Sequence, residues 1–335
     1  MDNSATDCHT IGRFFGVNGK KLQRQYKKHL SSFNTWAPRE HAHQWILYPE
    51  NIGTHLSIDE VALSQGELYT IVTNKKFKGK QGCLVAIIAG TKADQVIEHI
   101  SKIDYKKRSG VQEITLDMAN SMKLISKKCF PKAIQVTDRF HVQKLALEAM
   151  QEIRIKHRWE AMDLENQLIM QAKKENNTFI QELLPNGDSL KQLIARSRYV
   201  LYKSREKWTE HQNERAQLLF ELYPDIKKAY GLSQQLRGIY NNNNDKHVAM
   251  TKLAHWYRNV EESGFKNFNI LLNTVTLNYQ SILNYFDNRS TNASAESFNA
   301  KIKAFRSQFR GVRKIDFFIF RLSNNPQLLH LIQNN

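Results

Sequence analysis

Cysteine is scarce in this chain: three among 335 residues, Cys8, Cys83 and Cys129, widely spaced and never in a C-x-x-C pair. Neither a disulfide framework nor a zinc ribbon can be assembled from them, and all three read as structural bystanders. The twelve histidines follow neither H-E-x-x-H nor H-x-x-E-H spacing, so any catalytic metal is expected on oxygen ligands, which suits Mg2+ or Mn2+. Long hydrophobic runs are missing too. No stretch of about 18 apolar residues, no signal peptide and no lipidation box is present, so the chain reads as soluble and cytoplasmic, with no membrane partner. Acids are outnumbered, 32 Asp and Glu against 49 Lys and Arg, for a formal net charge of +17. Because each neutralised phosphate releases counterions, this excess favours a polyanion, with nucleic acid ahead of a membrane surface. The length suffices for a sizeable core and two or three structural units.

Residues 9 to 31 hold two short helical stretches around Gly16-Val-Asn-Gly19. Ile11, Phe14 and Phe15 precede it and Leu22, Tyr26 and Leu30 follow, a spacing like a helix-turn-helix with Lys20, Lys21, Arg24, Lys27 and Lys28 on the second helix. A basic amphipathic helix packed on the main body accounts for the same residues. Residues 32 to 54, with Trp36, Pro38, Trp45 and Pro49, read as an irregular linker. Strand patterns follow: Leu56-Ser-Ile58, Leu68-Tyr-Thr-Ile-Val-Thr73 and Cys83-Leu-Val-Ala-Ile-Ile-Ala89, a three-strand antiparallel meander. A helix is expected over 93 to 103, a strand over 111 to 116, a helix over 119 to 129 and a strand at Ala133-Ile-Gln-Val-Thr137. The order βββαβαβ is that of a ribonuclease H-like mixed α/β sheet. From 139 to about 285 strand signals vanish and helical spacing takes over, with Pro185-Asn-Gly187 and Asn241-Asn-Asn-Asn-Asp245 as loops and Trp159, Trp208 and Trp256 filling helix contacts. The expected domains are a helix-turn-helix-like segment and linker at 1–50, a catalytic domain from 51–140 and 286–335, and a helical insertion at 141–285.

Three acids stand out: Asp59 in His55-Leu-Ser-Ile-Asp-Glu60, Asp117 in Val111-Gln-Glu-Ile-Thr-Leu-Asp117, and Glu296 in Ser290-Thr-Asn-Ala-Ser-Ala-Glu-Ser-Phe-Asn299. The first two follow apolar runs and are expected near the carboxyl ends of adjacent strands, where α/β sheets place ligand chemistry. Leu56 and Ile58 face one side, which turns Asp59 to the other. Two carboxylates there repel unless a cation lies between them, although a capping duty explains each singly. Glu296 opens a helix whose Phe298, Ile302, Phe305 and Phe309 form the buried stripe, and two residues is about 200° of helix, so Glu296 points away from it. An ordinary first-turn Glu explains that position alone. Asn299 and Lys303 share its face, and Lys301, Arg306, Arg310 and Arg313 add charge able to grip backbone phosphate. Asp138, in Val136-Thr-Asp-Arg-Phe-His-Val142, competes with Asp117 as second acid. Asp117 is preferred because it ends the strand expected beside the first, which leaves Asp138, Arg139 and His141 as a supporting or substrate-binding cluster; a structural Asp138–Arg139 turn explains those residues equally.

The segments Leu116-Asp-Met-Ala, Phe130-Pro-Lys-Ala-Ile-Gln-Val-Thr-Asp-Arg-Phe-His-Val-Gln-Lys144 and Thr291-Asn-Ala-Ser-Ala-Glu-Ser-Phe-Asn-Ala-Lys-Ile-Lys303 resemble bacterial insertion-sequence DDE transposases of the ISL3 type, over roughly residues 55 to 325. The resemblance implies a ribonuclease H-like catalytic domain interrupted by a helical insertion between the second and third acids. Asp59, Asp117 and Glu296 match the family's metal-binding acids, implying two Mg2+ or Mn2+ ions per site and DNA cleavage followed by strand transfer at the ends of an insertion sequence. It also implies double-stranded DNA as partner, as terminal repeats and target, a homodimer or larger assembly on it, and a place at the bacterial nucleoid. Family members carry a zinc-binding recognition region ahead of the catalytic domain. Here the front end is expected to be shortened and lacks those cysteines, so terminal-repeat recognition falls to residues 9 to 31 or to a separate DNA-recognition protein, or has been lost. Ala293 stands where the family has glycine. Two rival readings are an endonuclease of the same fold that never joins strands and a truncated transposase that only binds DNA.

Overall fold

The β-branched runs form strands because they have two apolar faces to fill. Our computed structural model describes residues 6–63, 66–78, 80, 82–308 and 314–323. Its six strands are β1 (Trp45–Leu47), β2 (His55–Ala62), β3 (Leu68–Asn74), β4 (Leu84–Ala89), β5 (Glu113–Leu116) and β6 (Ile134–Thr137). They lie in one mixed sheet in the order β1-β4-β3-β2-β5-β6. The β2-β3-β4 meander is antiparallel, whereas β5 pairs parallel with β2, and β6 parallel with β5. The linker expected over 32 to 54 is corrected in one place: Trp45–Leu47 is an edge strand, antiparallel to β4. Only three residues long and close to two prolines, it has too little alternation to be seen as a strand, and β4 supplies its hydrogen bonds.

The chain divides into two compact units, Met1–Asp138 with Arg289–Asn335, and Arg139–Asn288. The first holds helices α1 (Cys8–Phe14), α2 (Gly19–Gln25), α3 (Ala93–Ile100), α4 (Asn120–Cys129), α5 (Ala293–Gln308) and α6 (Ile315–Ser323) beside the sheet's strands. Leu56 and Ile58 of β2 pack with Val96 and Ile100 of α3 and Met122 and Ile125 of α4 on one face. On the other, Val61, Tyr69, Ile71 and Ile87 meet Phe298, Ile302 and Phe305 of α5 and Phe318 and Leu322 of α6. Each such side chain contributes about 1.5–3 kcal/mol of burial, which fixes α5 against the sheet by three consecutive stripe positions. Phe309, the fourth, lies outside the described residues.

Asp7 caps α1 and Asn18 caps α2. The two helices cross where a Cβ on Gly12 would stand 2.5 Å from the Val17 carbonyl oxygen and 2.9 Å from the Gly19 Cα, so glycine permits the approach. Tyr26 and Phe33 then bury against Phe317 and Phe320 of α6.

The regular elements described in the second unit are all helices, the longest being Arg139–Lys174, Pro224–Asn242, Lys246–Ser263 and Lys266–Leu277. Trp256 is buried there and donates from Nε1 to the Leu232 carbonyl at 2.9 Å. Trp208 is half-buried and donates to Val200 O at 2.9 Å. Trp159 departs from expectation: it is 60% exposed, because Ala161, two residues on, takes the inward face of that helix and two residues is about 200° of turn. Among the described residues no helix is long and apolar enough to cross a membrane.

Candidate active site

The parallel registers bring the strands that lead to the acids side by side. Ser57 pairs with Thr115, and Thr115 with Val136. Two residues further along the chain from each are Asp59, within β2, and Asp117 and Asp138, directly after β5 and β6. Neighbouring strands are about 4.8 Å apart. The strand before Asp117 is therefore next to that of Asp59, and the strand before Asp138 is two away. Asp59 sits within β2, opposite Ile71 of β3, and not after a strand end as the apolar run suggested. It is at an end only with respect to the parallel β2/β5 ladder, which stops at Ser57.

Helix α5 meets this row from the Val61 face. Its Asn299, buried, donates from Nδ2 to Asp59 Oδ2 at 2.6 Å. Glu296, half-buried, lies one turn earlier, three residues and about 4.5 Å along the axis, within about 60° of Asn299 around the helix. The burial of Phe298, Ile302 and Phe305 sets the rotation of α5, and the Asn299–Asp59 bond sets its level over β2. The remaining oxygens are partly used locally. Asp59 Oδ1 accepts from the Glu60 backbone N–H at 2.9 Å, and Asp117 Oδ1 accepts from Ala119 N–H at 2.9 Å, the turn-capping duty that competes with ligation.

Like charges crowd here. Glu60, on the opposite side of β2 from Asp59, has its carboxyl pushed above the usual range by burial first, and then by the Asp117 and Asp59 carboxylates. A cation relieves such repulsion. Among the described residues no three His, Cys, Asp or Glu side chains are near enough together to enclose a metal ion. Mg2+ does not require a protein cage, since it is held through one or two carboxylates with water and substrate phosphate as the other ligands. The donors available at the strand ends are carboxylate oxygens, a hard set that fits Mg2+ or Mn2+.

A family model described as transposase matches residues 56–322, a span that covers every strand-end acid and α5. The chain belongs to the ISL3-type DDE transposase family. That membership assigns it to DNA transposition and recombination. No curated protein matches the chain.

A half-buried cation that the sequence did not signal lies beside β5. Lys75, directly after β3, donates from Nζ to Thr115 Oγ1 at 2.7 Å and lies 3.5 Å from Glu113 Oε1. Burial pushes its pKa down, opposed by the charges of Glu113 and Asp138. In sequence Lys75-Lys-Phe77 looks like a solvated turn. Only the pairing of β2 with both β3 and β5 brings it to Thr115, two residues before Asp117.

The cations of the transposase separate by burial. Lys20, Lys21 and Arg24 are exposed on α2, while Lys27 is drawn over the rings of Phe33 and Phe317, at 4.6 and 5.0 Å. Lys301 and Lys303 are exposed on α5. Arg306 is a correction to the expected phosphate contacts: it is 6% exposed, its Nε and Nη2 engage Glu67 Oε2 and Oε1 at 3.1 and 2.8 Å, and it stacks over Phe318. Asn299, grouped with the DNA contacts by sequence, is engaged by Asp59. Arg310 and Arg313 lie outside the described residues. Asp138 is buried and its backbone N–H bonds Leu116 O at 3.0 Å. Arg139 and His141 belong to the helical unit, where Arg139 donates to Asn241 Oδ1 at 3.1 Å and to Tyr285 Oη at 3.4 Å.

Proposed function

We propose that this transposase cuts DNA at the ends of an insertion sequence and joins the freed 3′ ends to target DNA, using a ribonuclease H-like catalytic unit in which Asp59, Asp117 and Glu296 hold divalent metal. The observation that carries the reading is the 2.6 Å bond from Asn299 to Asp59, which ties the helix bearing Glu296 to the strand bearing Asp59, with the strand of Asp117 next to it. Asp117 is favoured over Asp138 by that adjacency, one strand spacing against two.

Bound Mg2+ or Mn2+ supplies a water or 3′-hydroxyl of lowered pKa and neutralises the leaving oxygen, as two-metal phosphoryl-transfer sites do. The chain's own residues do the positioning. Asn299 fixes Oδ2 of Asp59, and the Glu60 N–H holds Oδ1. The three carboxylates, mutually repulsive without a cation, are poised to bind one on approach of a phosphodiester. Lys301 and Lys303, exposed on α5, hold the backbone beside the acids and attract it through the chain's positive field. Lys20, Lys21 and Arg24 of α2 form a second basic row for DNA flanking the cut. Synapsis of two ends calls for a dimer or larger assembly, working in the cytoplasm where the bacterial chromosome lies.

The test is cleavage and joining of labelled duplexes carrying the DNA that flanks the protein's own gene, in Mg2+ or Mn2+, with wild type beside Glu296→Ala. Cutting and joining lost in the variant support the reading. Cutting without joining makes the protein an endonuclease, and binding without chemistry makes it a DNA-binding protein only.

A further inference from the structure

The helical unit contains a cavity of about 970 Å3 that the proposed chemistry does not use. Its walls come from the start of helix Arg139–Lys174, the turn Tyr202–Lys207 and the helix Pro224–Asn242. Five cations line it, Arg139, Lys203, Arg205, Lys207 and Arg237, against one acid, the exposed Glu206. Phosphate is the ligand that such a balance attracts.

Charge alone would suit any polyanion, but the remaining lining is more selective. Phe140 is 54% exposed and Tyr202 36% exposed, so two aromatic rings are offered to the cavity instead of to the core. Asn242 brings an amide to the same walls, as does Gln143, whose Nε2 donates to Ser233 O at 3.1 Å. Duplex backbone is held by cations and gives a protein no base faces. Aromatic rings interleaved with cations and amides are what an unstacked base requires: a stacking surface, a phosphate contact and hydrogen bonds to the base edge.

The frame is rigid. Arg237 donates to Gln234 Oε1 at 3.0 Å and to the Tyr202 carbonyl at 2.8 Å, and Tyr230 Oη donates to Lys203 O at 3.0 Å. These bonds fasten the turn to the helix behind it. Burial pushes the Tyr230 hydroxyl up to about 12, so it keeps its proton and the donor stays in place at neutral pH. Arg205 and Lys207 project from the held turn and are exposed.

We propose that this cavity binds a short unpaired DNA segment, with Arg205 and Lys207 on its phosphates and Phe140 and Tyr202 stacking its bases. The proposal rests on the reading that the chain acts on DNA, and adds that a strand is separated from its partner during that action.

The full-length protein is titrated, by fluorescence anisotropy, into three labelled DNAs of one sequence: a single strand of about 12 nucleotides, within the span such sites cover, a blunt duplex, and a duplex with a short unpaired extension. Phe140→Ala/Tyr202→Ala, at exposed positions, should weaken the single strand and the extended duplex by about 10-fold or more while leaving the blunt duplex unchanged. Arg205→Ala/Lys207→Ala should weaken the single strand and flatten its salt dependence. Single-strand binding unchanged in the aromatic variant overturns the proposal even if the blunt duplex is bound and cut, which leaves the transposase reading intact. Equal losses on all three DNAs also overturn it, since they make the cavity a general backbone contact. A wild type that binds none of the three overturns both.

Discussion

Asn299→Ala removes a side-chain bond between α5 and Asp59, and the structure sets the size of the effect. A hydrogen bond to a charged acceptor is worth about 1.5–3 kcal/mol. Asn299 is buried, but Asp59 is half-buried, so water can re-solvate the carboxylate, and the loss should lie near the lower end, about 1.5–2 kcal/mol. For a unit of this size that lowers Tm by about 3 to 8 °C. The Phe298, Ile302 and Phe305 stripe keeps α5 on the sheet, so the fold survives while the level of Glu296 over Asp59 loosens. A shift of about 1 Å in a reacting group can cost 100-fold in rate, and metal-dependent cleavage should fall about 10- to 100-fold. Asn299→Asp sharpens the test. It adds a carboxylate beside Asp59, and two charges about 4 Å apart repel by about 4 kcal/mol at an effective dielectric constant near 20. Mg2+ should therefore raise the Tm of Asn299→Asp more than that of wild type. Thermal melts with and without Mg2+, and initial cleavage rates, check both variants. An Asn299→Ala protein that melts within about 1 °C of wild type and cuts at the same rate refutes a positioning role for this bond.

Arg306→Ala should lower stability by about 2–4 kcal/mol, because it leaves Glu67 without its buried partner, and should leave the salt dependence of DNA binding unchanged; a shallower salt slope would return Arg306 to the phosphate contacts. Asp188, 1% exposed, accepts from Arg215 at 2.9 Å and from Arg196; burial alone would raise its pKa, but those two partners hold it below the usual carboxylate range. A carboxyl depressed in the folded state stabilises above its unfolded pKa and loses that contribution as pH falls through the folded value, so wild type should lose Tm between about pH 4 and lower values, and Asp188→Asn should be less stable at neutral pH and lack this loss. Trp159→Ala should change stability by less than about 0.5 kcal/mol, checked by urea unfolding. Asp117→Asn should abolish cleavage where Asp138→Asn reduces it and leaves it measurable; the reverse order would exchange their roles.

The strands were legible because Val, Ile and Thr runs separated by polar turns say which segments lie in a sheet, and the face of Asp59 followed from Leu56 and Ile58. The neighbouring of the strands that lead to Asp59 and Asp117 was legible only through an expected strand order, and β2 does pair with β5. Other features required tertiary contact. Arg306 looked like one more cation on a basic helix, and its partner Glu67 lies 239 residues away. Nothing in the sequence singled out Lys75, which sheet pairing brings to Thr115. Trp159 looked like core, but composition does not tell which face of a long helix a tryptophan occupies. Edge strand β1 carried too few residues for a pattern.

The most direct measurement is anomalous diffraction from crystals of the protein with Mn2+ and DNA carrying the flanking ends of its gene. The account predicts Mn2+ peaks bounded by carboxylate oxygens of Asp59, Asp117 and Glu296, with the scissile phosphate beside them. Peaks held by Asp138 in place of Asp117, or lying away from Asp59 and Glu296, would contradict it.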